Sequence, residues 1–298
     1  MAFVTPIQVT GPARRPRQML AEQSYEGHAS VHDAATADTL GLTGAPIEGP
    51  THFSQFDPLA FACWGPEWFE TGRISAHFKT MVVEGEEVTA SITSSGQTAA
   101  TIEAAKADGS TVLVGTATVD PHDETELDAR LARNRDPGDL FIVDQLTVGQ
   151  RCTAPPALID MTTGNGAFYP FSLREKLDAI TEPSPWYDSD DNPWGRPIVP
   201  FEMISVLTQK TGVDFAVRGP ALGLFLDLEV QMVRGPVFVG QEYLLEREVV
   251  GLGQSRRTES YWVRTTVTDP GSGDEVASVL LHSGVFKDSY TGYPAGRL

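Results

Sequence analysis

Hydrophobic and polar residues follow two different periods along the first half of the chain. A largely apolar stretch, THFSQFDPLAFACWG, begins at Thr51 and has the length of a helix. From Arg73 to Val119 apolar and polar residues then alternate, and Glu-Gly, Ser-Ser-Gly and Ala-Asp-Gly turns separate the alternating runs. Alternation interrupted by such turns is typical of antiparallel strands. The pattern therefore predicts a buried helix followed by three or four strands.

The second half repeats this order. The run PFEMISVLTQKTGVDFAV begins at Pro200. Its largest apolar residues and one threonine lie at roughly helical spacing, at Phe201, Ile204, Leu207, Thr208, Val213 and Phe215. Alternating runs follow from Leu228 to Lys287. Because each sheet must cover its apolar face and the helix is the only element available to do so, we expect an α+β fold.

Three landmarks recur in the same order and indicate that the two halves are copies of one unit. They pair Ile47 with Ile198, Gly85 with Gly240 and Gly96 with Gly253, at offsets of 151, 155 and 157 residues. Slowly growing offsets are expected when copies differ mainly in loop length. We predict an N-terminal extension over 1–22, a first copy over 23–120, a charged connector with a short solvated helix over 121–140, and a second copy over 141–298.

Composition and charge narrow the class of protein. The 298 residues are 41% hydrophobic and 21% charged, as in soluble globular proteins, and no apolar run approaches a membrane span. A net charge of −18 opposes binding to nucleic acid. Cys63 and Cys152 have no CxxC partner, so neither a disulfide framework nor a zinc site is indicated. The N-terminus lacks the features of a secretory signal, and we expect a cytoplasmic protein.

Four segments carry a resemblance to a known family. They are HDAATADTLGLTGAPIEGP and FKTMVVEGEEVTASI in the first half, and NPWGRPIVPFEMISVL and VQMVRGPVFVGQEYLL at the corresponding places in the second half. These segments resemble the MaoC-like hydratase/dehydratase family, and the similarity extends over roughly residues 23–286. The resemblance implies a double hot-dog fold, in which a long central helix is wrapped by an antiparallel sheet twice per chain.

The same resemblance implies hydration or dehydration of a 2-enoyl/3-hydroxyacyl thioester, without a metal or redox cofactor. In that family an Asp and a His on a G-D-x-N-P-hydrophobic-H loop move the protons, and a backbone N–H at a helix N-terminus activates the thioester carbonyl. Neither copy keeps the whole motif. In TTGNGAFYP, Asn165 takes the Asp position and Pro170 the His position. In the first copy His32 is in place, but Gly27 stands where the Asp belongs.

Candidate site residues follow from this reading. We expect catalytic roles for His32, Asp33 and Glu26, and substrate-binding roles for His52, Asn165, Tyr169 and Gly49. Structural roles compete at several of these positions: Asp33 is a favoured helix N-cap, His52 suits the packed first turn of a helix, and Asn165 suits a left-handed turn. The assignment requires His32 and Asp33 to face the same cleft as Asn165 and Tyr169.

Two other functions remain open. The first is thioester hydrolysis, which in other hot-dog proteins resembles attack assisted by a carboxylate on the central helix. Asp57 and Glu202 are the helix carboxylates available here. A non-catalytic subunit that binds a ligand or a partner is the alternative suggested by Asn165 and Pro170, which cannot exchange protons. In every case we expect a small-molecule partner, either free or linked to CoA or another carrier, no membrane or nucleic-acid partner, and a homodimer or a pseudo-symmetric monomer.

A local cationic spot would be needed to bind an anionic carrier on so acidic a chain. We expect Arg256, Arg257 and Arg264 to lie in one strand of the second copy, with Arg256 and Arg264 on one face. Cross-strand salt bridges with Glu246, Glu248 or Glu259 are the competing role.

Overall fold

The computed structural model describes residues 6–24, 29–94, 96–212, 215–294 and 296. These residues contain ten strands in a single antiparallel sheet. The strands are β1 Ile7–Thr10, β2 Arg73–Phe78, β3 Val88–Ser94, β4 Ala99–Lys106, β5 Thr111–Thr118, β6 Arg151–Ala157, β7 Gly223–Met232, β8 Tyr243–Gln254, β9 Thr258–Thr268 and β10 Glu275–Phe286.

The order of the strands confirms the duplication. Across the sheet they run β1-β3-β4-β5-β2-β7-β10-β9-β8-β6, so the second half mirrors the first. The two copies meet where β2 and β7 pair antiparallel, with Ile74 opposite Val230. We call this β2–β7 pairing the seam. The predicted three or four strands of the first copy are the four strands β2 to β5.

The hinge before each central helix is fixed by the same hydrogen bond in both copies. The N–H of Ile47 donates to the carbonyl of Val82 at 2.8 Å, and the N–H of Val199 donates to the carbonyl of Val237 at 2.8 Å. The structural equivalent of Ile47 is therefore Val199 rather than Ile198. The repeat at the hinge has an offset of 152 residues, one more than the sequence comparison gives.

The second landmark lies at equivalent turns. Gly85 and Gly240 precede β3 and β8 and have φ angles of 92° and 76°. This left-handed region is open to glycine at little cost, which explains why both copies keep it. The third landmark pairs Gly96, in the β3–β4 turn, with Gly253, near the end of β8 before the β8–β9 turn.

The central helices differ between the copies. In the first, a 3₁₀-helix over Gly49–Phe56 continues into α2 (Asp57–Trp64). In the second, α6 covers Phe201–Gln209 and is followed at Gly212 by a φ of 85°, which ends the helix. The predicted helical pattern therefore stops early. Phe215 packs in a separate apolar cluster, and Val213 lies outside the described residues.

Four further short helices complete the fold. They are α1 (Ala34–Thr39), α3 (Glu67–Thr71), α4 (Glu126–Ala132) and α5 (Leu173–Ala179). The predicted connector helix is confirmed as α4, but it is docked on the sheet: Leu127 is fully buried and its N–H donates to the hydroxyl of Ser75 on β2 at 3.0 Å. At the sheet edge, β1 pairs with β3, so the N-terminal extension contributes a strand to the first copy.

The interior is apolar along both central helices. Phe53, Phe56 and Phe201 are fully buried, and the rings of Trp68 and Phe201 stack with centroids 4.6 Å apart across the two copies. None of the helices described is long and apolar enough to cross a membrane.

Candidate functional site

A cavity of about 290 Å³ lies beside the seam. Its wall includes the first hinge, at Glu48, Gly49 and His52. The loop before α1 adds His32, and the second copy adds Tyr169. Residues of β7 and β10, Tyr261 on β9 and the segment 78–82 after β2 also line it. The cavity is thus built by both copies, and it brings together four of the seven residues predicted from the sequence.

His32 is held in one tautomer. Its Nδ1 lies 2.7 Å from the carbonyl oxygen of Pro46. Because a carbonyl only accepts hydrogen bonds, Nδ1 carries the proton and Nε2 keeps its lone pair. Burial lowers the pKa of His32, and the hydrogen bond to Pro46 offsets this only in part. The ring is therefore neutral at physiological pH and can accept a proton.

Glu48 is a second ionisable residue that lines the cavity. Its side chain is 5% exposed, and Oε1 has no hydrogen-bond partner among the described residues. Burial raises the pKa of Glu48, while the charge of Lys176 acts in the opposite direction. The direction of this shift is the one that a proton donor needs, because it widens the pH range over which the carboxyl group keeps its proton.

Gly49 begins the first central helix and lines the cavity. The next residue, Pro50, has no N–H, and the N–H of Thr51 bonds to the carbonyl of Glu48 at 3.2 Å. No described residue accepts the N–H of Gly49. A Cβ at this position would lie 3.0 Å from the ring of Phe78, so a larger residue would require that ring to shift. An N–H at a helix start is suited to a carbonyl oxygen that gains negative charge.

His52 and Tyr169 add neutral polar groups. His52 is 2% exposed, and burial lowers its pKa to about 4, so it stays uncharged near neutrality. Burial raises the pKa of Tyr169 well above its ordinary value, so it keeps its phenolic proton. Both side chains can hydrogen-bond a substrate without adding charge to the cavity.

Asp33 and Asn165 line no part of the cavity and have structural partners. Asp33 accepts from the N–H of Thr36 at 2.7 Å, a bond that caps α1 and lowers the pKa of Asp33. Asn165 is fully buried, donates to the carbonyl of Phe171 at 2.8 Å and accepts from Lys210 at 2.9 Å. For Asp33 this is the helix-capping role that the sequence allows, whereas Asn165 is held by side-chain hydrogen bonds.

Glu26, together with Gly27 and His28, lies outside the described residues. Of the four residues expected to share one cleft, His32 and Tyr169 line the same cavity, whereas Asp33 and Asn165 do not.

The loops that carry His32 and Tyr169 belong to different copies and are joined directly. Gln23 donates to the carbonyl of Phe168 at 3.0 Å, and the N–H of Ser24 donates to the carbonyl of Ala167 at 2.9 Å. On the other side, the hydroxyl of Ser30 donates to Gln23 at 2.7 Å and accepts from the N–H of His32 at 3.1 Å. This chain of bonds fixes His32 relative to the second copy.

The two helix carboxylates lie deeper than the cavity wall. Asp57 accepts from Trp68 and from Tyr187 of the second copy, both at 3.0 Å, and burial raises its pKa to about 7. Glu202 lies 3.5 Å from the Lys176 ammonium, and burial raises its pKa to about 8. Thioester hydrolysis by a helix carboxylate would require that carboxylate to line the cavity. Neither Asp57 nor Glu202 does so.

Sequence reasoning did not single out Glu48 or Lys176. Glu48 is the only acidic residue of the hinge GAPIEGPTH. A charged residue among apolar neighbours was the signal that could have singled it out as a candidate site residue. Lys176 lies in α5, 125 positions from the hydroxyl of Thr51 to which it donates at 3.0 Å. No local pattern indicates that contact.

The arginines expected to form a cationic spot lie elsewhere. Arg256 and Arg257 are in the turn between β8 and β9, so the prediction that they lie in a strand is wrong. Arg264 is in β9, opposite Glu248. At the cavity itself the cationic residue is Lys79, which follows β2.

Comparison with solved structures identifies the fold. A conserved hypothetical protein from Mycobacterium tuberculosis with a double hot-dog fold superposes with a TM-score of 0.59 at 11% identity, covering 96% of this chain and 97% of its own. A candidate MaoC domain dehydratase from Chloroflexus aurantiacus J-10-fl gives 0.57 at 12% identity, covering 96% and 95%. A MaoC-like dehydratase gives 0.52 at 16% identity, covering 94% and 97%.

The chain therefore has the double hot-dog fold, as expected, and MaoC-like dehydratases are among its structural neighbours. No protein-family model and no curated protein matches the sequence.

Proposed function

We propose that this chain is a hydro-lyase that adds water to a 2-enoyl thioester or removes it from a 3-hydroxyacyl thioester. One observation carries the proposal: His32, with Nε2 unprotonated, lines the same cavity as Glu48 and as Gly49, whose N–H has no backbone acceptor among the described residues. These are the base, the acid and the oxyanion donor that the reaction needs. The double hot-dog fold shared with MaoC-like dehydratases supports the same chemistry.

In the dehydration direction, His32 Nε2 removes a proton from C2 of the substrate. The electron pair of that C–H bond forms the C2=C3 double bond, and the C3–O bond breaks. Glu48 gives its proton to the departing hydroxyl, which leaves as water. The thioester oxygen gains negative charge as C2 loses its proton, and the N–H of Gly49 stabilises it. Hydration is the reverse sequence.

We assign Glu48, in place of Asp33 or Glu26, as the partner of His32. Asp33 caps α1 and lines no part of the cavity, whereas Glu48 lines it and favours its protonated form. Tyr169 and His52 hold the acyl group as neutral hydrogen-bonding groups. Lys79 is placed to attract the acidic phosphates of a CoA or pantetheine carrier.

The test is hydration of a crotonyl-type thioester by the purified chain. The rate is measured as the loss of enoyl absorbance, and the 3-hydroxyacyl product is detected directly. We expect His32→Ala and Glu48→Gln each to lower kcat/KM by roughly 10²- to 10⁴-fold, the usual contribution of a general acid or base. His122→Ala is the matched control, because His122 is exposed in the loop after β5. It should leave the rate unchanged.

Three results would contradict the proposal. If His32→Ala hydrates the thioester as fast as the wild type, His32 is not the general base. Release of free thiol without hydration, abolished by Glu202→Gln, would show a thioesterase. Tight binding of thioesters without turnover of any of them would indicate a non-catalytic ligand-binding subunit.

A further inference from the structure

The shape and position of the cavity bear on which acyl groups it accepts. We infer that the chain selects acyl groups of medium length, with the tail lying across β7, β10 and β9 of the second copy, past Gly223 and toward the far wall at Tyr261. This inference rests on the proposed function and specifies its substrate class.

The volume of the cavity sets the first limit. A cavity of roughly 150 Å³ holds benzene, with its six carbons. The cavity of about 290 Å³ described above is about twice as large. It therefore has room for about a dozen carbon atoms.

The strand order gives an independent measure of length. Gly49 lies beside the ring of Phe78 at the end of β2, and the far wall is formed by Tyr261 on β9. Between β2 and β9 lie β7 and β10, which makes three inter-strand spacings or about 14 Å. An extended chain advances about 1.2 Å per bond, so about twelve bonds span the distance.

The exposure of the wall shows which end faces solvent. Lys79, Thr80 and Met81 line the cavity on the side of the first copy, and all three are exposed. At the other end Tyr261 and Val285 are buried. A substrate with its carrier outside the cavity therefore places its thioester beside the hinge and its tail against the second copy.

Gly223 marks the tail region. It lies opposite Val285 in the β7–β10 pairing and lines the cavity. A Cβ built on Gly223 meets one atom within 4 Å, the carbonyl oxygen of Gly284 at 3.8 Å. A larger side chain at this position is accommodated by the strand and takes space from the cavity.

The experiment measures binding rather than turnover. Saturated butanoyl-, octanoyl-, decanoyl- and hexadecanoyl-CoA are titrated into the full chain by calorimetry. We expect affinity to rise about two- to fourfold per methylene up to decanoyl, because each buried methylene contributes hydrophobic free energy, and then to fall. Affinity that rises steadily to hexadecanoyl, or that is highest for butanoyl, overturns the inference.

Gly223→Val tests the location of the tail. We expect it to weaken decanoyl-CoA binding at least tenfold and butanoyl-CoA binding less than twofold. Gly96→Val is the matched control, since Gly96 is exposed with open space at its Cβ position and lies away from the cavity. Equal loss for both ligands in Gly223→Val overturns the placement. A maximum at decanoyl without hydration of any enoyl thioester supports the inference while contradicting the proposed function.

Discussion

Single side chains around the first central helix show a concentration of buried ionisable groups. The exposed fraction is 5% for Glu48, 2% for His52, 3% for Asp57, 2% for Lys176 and 2% for Glu202. Burial raises the pKa of the three carboxyl groups and lowers that of the histidine, so each of these groups is shifted toward its neutral form. Neutral groups can be kept beside an apolar cavity at lower cost than charged ones.

Asp57 makes the stability of the protein depend on pH. Its pKa is about 7 in the folded chain and near 3.8 when exposed, so the folded state retains a proton that the unfolded state loses. This contribution is fully present below about pH 4 and is lost as the pH rises through 7. We expect Asp57→Asn to gain stability relative to the wild type between pH 4 and pH 8, by at most about 4 kcal/mol.

Urea unfolding of both proteins at a series of pH values measures this difference. Asp33→Asn is the control, because Asp33 caps α1 and has its pKa shifted in the opposite direction. A difference between Asp57→Asn and wild type that does not change with pH would contradict the prediction.

At the scale of elements, α4 shows how the connector serves the fold. Thr125 caps the helix and donates to Glu229 on β7 at 2.7 Å, while Arg73 on β2 bonds to both Glu229 and Asp128, at 2.7 and 2.9 Å. Leu127 fills an apolar pocket beneath the helix. The connector therefore ties together the two strands that form the seam.

Leu127→Ala should weaken this attachment. Removing a fully buried leucine leaves a cavity, and we expect a loss of about 3 kcal/mol in the free energy of unfolding. Leu244→Ala is the matched control: Leu244 is 43% exposed on β8, and its loss should cost less than about 1 kcal/mol. Equal effects of the two substitutions, measured by chemical denaturation, would show that α4 contributes little.

On the scale of the whole molecule, the two copies depend on each other. The sheet is continuous across the seam, and the cavity takes His32 and Glu48 from one copy and Tyr169 from the other. Lys176 reaches Thr51 across the same boundary. Neither copy contains a complete site.

Separating the halves should therefore abolish both stability and activity. Residues 1–140 would expose β2 as a new edge and leave Arg73 without Glu229, and residues 141–298 would expose β7 and leave Tyr187 without Asp57. Unpaired edges favour aggregation. We expect each half alone to be insoluble or unfolded, and co-expression to restore a soluble complex that hydrates enoyl thioesters. Cooperative unfolding of either half alone, seen by circular dichroism, would contradict this.

The sequence by itself determined the features that depend on neighbouring residues. Alternation and turn residues located β2 to β5, and the proline-glycine hinge located the start of each central helix, at Gly49 and Phe201, to within two residues. The repeated landmarks showed the duplication, and a motif position singled out His32. All of these signals are short-range, because strand period, turn type and helix start depend on a few adjacent residues.

Only the tertiary structure decided which side chains share the cavity. From the sequence, Asp33 and Asn165 were compatible with a role in the site or with a structural role. In the folded chain Asp33 caps α1 and Asn165 bonds within its own loop, and neither lines the cavity. Glu48 became a candidate because burial raises its pKa, and the charge that opposes this shift is that of Lys176, 128 positions away. Such contacts depend on the closure of the sheet at the seam, which no local pattern of residues specifies.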